Sequence, residues 1–81
     1  MITQTEKNLI ALLKSLGLDK ETTVGTSILL RTDENRQRMI EEIIYLYDKK
    51  GEVSEQDIQK IGLILTGDLK EEYRDKARTS Q

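Results

Sequence analysis

The stretch Asp33 to Lys50, DENRQRMIEEIIYLYDKK, constrains the fold more than any other part of the chain. Met39, Ile40, Ile43, Ile44 and Tyr47 recur at i, i+3, i+4, i+7 spacing with no glycine or proline between them, the signature of an amphipathic helix. At about 100° per residue, Ile40, Ile43 and Tyr47 fall together, with Ile44 on one flank and Met39 and Leu46 on the other. Arg38, Glu41, Glu42, Tyr45 and Asp48 lie outside this face, so one side of the helix has apolar surface to bury and the other suits water. A chain of 81 residues can cover such a face only with further helices packed around it, which points to a small all-α bundle in a single domain.

Nothing but the core is available to hold that bundle together. Cysteine is absent, which removes disulfides and thiolate metal sites, and histidine is absent too, which leaves zinc only carboxylates and excludes a histidine general base. The 13 basic and 15 acidic residues give a net charge of −2, without the clustered basic excess of a nucleic-acid binder. No apolar run approaches the roughly 20 residues that span a bilayer. Met1 to Glu6 is not the basic start of a signal peptide, so the chain is read as cytoplasmic.

The remaining helices are marked by their ends. The first runs to Leu16, with Thr3 and Glu6 placed as a capping box and Leu9, Leu12, Leu13 and Leu16 as its buried stripe. Gly17 and Leu18 spell a Schellman stop, Leu18 folding back on Leu13. Asp19 caps a second helix to about Arg31, facing Val24 and Ile28 inward. The β-branched residues and Gly25 also allow a strand over 22–30. Thr32 caps the long third helix and Gly51 closes it. Ser54 with Asp57 forms a box-like start for the fourth, and Val53 and Ile58 are spaced as a hydrophobic staple. Ile58, Ile61 and Leu65 make its apolar face, and Gly62 beside them suggests a close backbone approach. Gly67 and Asp68 then read as a stop and a new cap, for a short C-terminal helix carrying Leu69 and Tyr73. The expected domain is 1–78, with 79–81 frayed.

The expected fold is therefore all-α, a compact bundle of four helices plus that short C-terminal one. Its core is Leu9, Leu12, Leu13, Leu16, Val24, Ile28, Met39, Ile40, Ile43, Ile44, Tyr47, Ile58, Ile61 and Leu65.

Constellations that carry chemistry are few. Asp48 to Asp57 lies between helices as a calcium loop does, but its third position is Lys50, its sixth Val53, and Asp57 arrives two residues early for the bidentate twelfth ligand. A helix-turn-helix can be drawn from Lys50 onward, with Asp68 to Lys76 as the second helix. Its Lys70, Arg74, Lys76 and Arg78 are offset by Asp68, Glu71, Glu72 and Asp75, so phosphate attraction is weak and DNA binding is the runner-up reading. Glu41 and Glu42 point in different directions from one helix. Ser15, Ser27 and Ser54 have no histidine to activate them, and no phosphate loop occurs. No enzyme activity, metal, cofactor or small-molecule substrate is expected.

What such a core leaves over is Leu29, Tyr45 and Leu63, each turned from its helix's buried face. Converging on one patch they would form a protein interface, with Tyr45 the best single candidate for partner binding. The partner would be another protein or, for a chain without staples, a second copy in a two-fold homodimer.

The helix end and restart Leu13-Lys-Ser-Leu-Gly-Leu-Asp19, and the segment Arg31-Thr-Asp-Glu-Asn35 with the apolar helix after it, resemble a group of short helical proteins encoded by Gram-positive bacteria and their mobile elements. The likeness spans roughly residues 9 to 65 and carries no functional residue. It implies a phage- or plasmid-linked accessory protein, such as an inhibitor of a host protein.

Overall fold

The computed structural model describes residues 2–67. Four helices follow in order: α1 Gln4–Ser15, α2 Lys20–Leu30, α3 Asp33–Lys50 and α4 Glu55–Thr66. There is no strand among the described residues, and 22–30 lies within α2. The C-terminal helix expected from Asp68 and the tail 79–81 lie outside the described residues.

The termini are built by the residues that announced them. Thr3 accepts from the Glu6 N–H while Glu6 reaches back to the Thr3 N–H, and Ser54 and Asp57 reciprocate in the same way at α4. Asp19 and Thr32 each accept from the N–H three residues on. After α1, Gly17 takes φ +94°, and the Leu18 N–H donates to the Leu13 carbonyl while that of Gly17 donates to Lys14, the paired bonds of a Schellman stop.

α3 packs against all three other helices. The Thr3 hydroxyl donates to Asp33 at 2.9 Å, which sets the N-termini of α1 and α3 side by side. Leu9 and Leu13 from α1, Leu30 from α2, Met39 and Ile43 from α3, and Ile58 and Ile61 from α4 form the core. Leu12, Leu16, Leu18, Ile40, Leu46, Val53 and Leu65 pack half-buried around it.

Three expected core residues are exposed instead: Ile28, Ile44 and Tyr47. For Tyr47 the reason is length. It lies on the correct side of α3, but α3 has 18 residues against 12 in α1, so with their starts aligned its last turns overhang. Ile44 sits on the open flank of the same stretch.

For Ile28 the reason is rotation. α2 buries Thr23, Ser27 and Leu30, a stripe at i, i+4, i+7, which leaves Val24 half-buried and turns Ile28 out to 64% exposure. Gly62 does not mark a close backbone approach. A Cβ there would meet the Met39 side chain at 3.7 Å, an ordinary contact.

Candidate functional site

The rotation of α2 opens a groove. Its walls are Thr26, Leu29, Leu30 and Arg31 from α2 and Ile58, Gln59, Gly62, Leu63 and Thr66 from α4, around a volume of about 260 Å³. Leu29 and Leu63, singled out by sequence as unplaced apolar residues, stand on these facing walls, 68% and 45% exposed. Among the described residues Arg31 is the only charged one lining the groove. The space is smaller than the 300–1,000 Å³ or so of drug-sized ligand sites, so its size suits a few side chains of a protein segment.

Side chains from α3 hold α2 in this orientation. Buried Arg36 donates from Nε to the Ser27 carbonyl at 2.9 Å and from Nη1 to Asp33 at 2.8 Å, and Asp33 also receives the Thr3 hydroxyl. One guanidinium thereby ties α1, α2 and α3 together. The Asn35 amide donates to the Leu30 carbonyl at 2.8 Å. Between the helices, Arg31 takes φ +71° and ψ −42°, and the Thr32 N–H donates to the Leu30 carbonyl, closing a three-residue γ-turn. Such a conformation is costly for a residue other than glycine and persists only where the surroundings impose it. Here the two side-chain bonds do so.

Inside this arrangement the Thr23 and Ser27 hydroxyls are buried and have no hydrogen-bond partner among the described residues. α2 thus presents unsatisfied polar groups to the core and apolar ones to solvent.

Tyr45 does not join Leu29 and Leu63. It lies on the outward side of α3, 57% exposed, with the Lys49 ammonium 5.6 Å from its ring centroid. A second groove of about 400 Å³, lined by Leu12, Ser15, Leu16, Ile43, Ile44, Tyr47 and Asp48, lies where α3 overhangs α1. Its apolar walls follow from the mismatch in helix length.

The remaining charged groups serve the helix starts. The Thr22 side chain and then its backbone N–H hold the Asp19 carboxyl below its usual range. The Ser54 backbone N–H, and after it the Lys50 ammonium at 3.0 Å, do the same for Asp57. Asp57 is therefore engaged as a cap within the stretch that imitates a calcium loop. Among the described residues there is no group of three or more acidic side chains arranged to hold a metal ion, and no helix is long and apolar enough to cross a membrane.

Sequence reasoning missed Arg31 and the small residues Thr26 and Gly62 as parts of this surface. The signal available was the run Thr22 to Leu30, uncharged throughout in a chain that is 35% charged. Comparison with protein-family models, curated proteins and solved structures gives no match.

Proposed function

We propose that the chain is a small protein-binding module that seats an apolar segment of a partner protein in the groove between α2 and α4, and that it acts by occupancy without transforming the partner. The observation that carries this reading is the orientation of α2, which buries Thr23 and Ser27 while Ile28 is left exposed and Leu29 faces Leu63 across the groove. Exposing two large aliphatic residues while burying two hydroxyls costs the isolated chain stability, and a partner that covers the aliphatic side offsets that cost. An amphipathic helix laid into a groove is a common mode of such recognition. The resemblance to helical proteins of bacterial mobile elements supports a phage- or plasmid-linked accessory protein in the cytoplasm, with a host protein as its target.

Photo-crosslinking in the native host tests the reading. A benzophenone side chain at position 63 is expected to give a discrete covalent adduct that Leu29→Asp abolishes, while the same probe at position 38, outside the groove, gives none. No adduct at position 63 would remove the groove as a binding site. A duplex titration at two salt concentrations provides the other arm, because tight binding that collapses with salt would indicate nucleic acid instead.

A further inference from the structure

We infer that the segment following α4, residues 68–77, lies back along the α2–α4 groove as a short antiparallel helix and seats Leu69 and Tyr73 in it when no partner is bound. It follows, on the reading that the groove is the seat of a partner, that the partner segment has to displace this one.

The point at which the chain leaves α4 selects the occupant. The α4 wall of the groove runs from Ile58 to Thr66, about 12 Å at about 1.5 Å rise per residue. The helix ends at the very next residue, Gly67, which takes φ +86°. Antiparallel helices are joined by connections of about 2–5 residues, so Gly67 and Asp68 suffice to turn the chain back. Asp68 with Glu71 three residues on is the signature of a helix start. A helix over 69–77 would be about 12 Å long, the length of the wall.

The segment also supplies what the groove lacks. Leu69 and Tyr73 are its only large apolar residues, one helical turn apart, and Ala77 continues their stripe. At about 100° per residue, Glu71, Arg74 and Asp75 fall on the opposite side. Lys70, Glu72 and Lys76 border the stripe with mixed signs, so the apolar pair and not charge makes the fit. Leu29 and Leu63 on the groove walls are the surface that this pair would cover. A stripe so short does not hold a helix of this length in water by itself, and needs packing against another element. Tethered through Gly67, the segment meets the groove at an effective concentration on the order of millimolar. A second copy or a free protein at micromolar concentration does not match that.

Photo-crosslinking of the purified full chain at low micromolar concentration tests the proposal. A benzophenone side chain at position 59, on the groove wall, is expected to form a crosslink within one molecule that peptide mapping places in residues 68–77, whereas the same probe at position 38 reaches none of them. Leu69→Asp with Tyr73→Asp is expected to lower the yield by about tenfold or more, and Leu69→Met with Tyr73→Phe to keep it. In the host, the aspartate pair is expected to raise the partner adduct at position 63 severalfold. A crosslink that is absent, maps elsewhere, joins two copies or ignores the aspartates overturns the docking. A host adduct that does not rise overturns the displacement. The purified chain holds no partner, so an intact crosslink within the chain beside a missing host adduct condemns only the partner-binding reading.

Discussion

α2 and α3 lie against each other, joined by only Arg31 and Thr32, yet they are oriented by different forces. α3 obeys its apolar stripe as far as α1 reaches: Met39 and Ile43 are fully buried and its charged residues mostly face water, and only Ile44 and Tyr47 of that stripe, on the overhanging stretch, are exposed. α2 has nearly as high a proportion of apolar residues and does not obey them. It buries Thr23 and Ser27 and leaves Ile28 and Leu29 outside. What turns it is its C-terminal end, where Arg36 and Asn35 fix two carbonyls and the γ-turn at Arg31 fixes the direction of departure. A short helix tied so closely at one end can be held against its own hydrophobic preference, because a rotation of one residue position would break bonds that have no substitute in the core.

The largest test of this contrast compares two isoleucines. Ile43→Ala is expected to cost about 2–5 kcal/mol, enough to unfold most of so small a domain, whereas Ile28→Ala at low concentration is expected to stay within about 0.5 kcal/mol of the parent. Equal losses in chemical denaturation would mean that α2 buries Ile28 after all.

Next in size is the tie itself. Arg36→Met keeps the length of the side chain but strands the buried Ser27 carbonyl and removes the bond to Asp33, for an expected loss of about 2–3 kcal/mol. Lysine at position 36 is expected to recover little, since it cannot present the two directed N–H groups of a guanidinium. Full recovery by lysine would reduce the interaction to charge alone.

A smaller effect, of opposite sign, is expected from the inward face of α2. Thr23→Val and Ser27→Ala each remove a buried hydroxyl without a described partner, and each is expected to stabilise the fold by about 1 kcal/mol, a rise of several degrees in Tm. A loss of stability in both would show that the hydroxyls are satisfied.

The smallest effect contrasts the two helix starts whose acidic caps titrate low. Asp19 and Asp57 have depressed pKa values in the folded chain, so their contribution is present above the unfolded value of about 3.9 and is lost as pH falls through the folded value. The melting temperature of Asp57→Asn is therefore expected to vary less than that of the parent below about pH 4. Parallel curves would assign the acid sensitivity to other carboxylates.

Much of the fold was legible because its punctuation is local. The reciprocal bonds of Thr3 with Glu6 and of Ser54 with Asp57, and the positive φ of Gly17 and Gly51, each depend on a few neighbouring residues of the right type. Ile28 and Tyr47 were misplaced because burial depends on other elements. Tyr47 needed α1 to continue past Ser15, and Ile28 needed α2 to be free of Arg36. The groove was half legible. Leu29 and Leu63 could be recognised as unused by the core, but only the packing of α2 beside α4 brings them together and leaves Tyr45 apart.

The capping of α2 by α3 also bears on how the chain opens. The last turn of any helix leaves carbonyls without partners inside it. In α2 those of Ser27 and Leu30 are completed by residues that come into position only once the first turn of α3 has formed. The end of one helix and the beginning of the next thus make a single cooperative unit, so in native-state hydrogen exchange their amides should share one protection level. The overhanging last turns of α3 are joined to the next helix by the surface pair Lys50–Asp57 instead of by buried carbonyl bonds, and belong to the more readily opened part of the same helix.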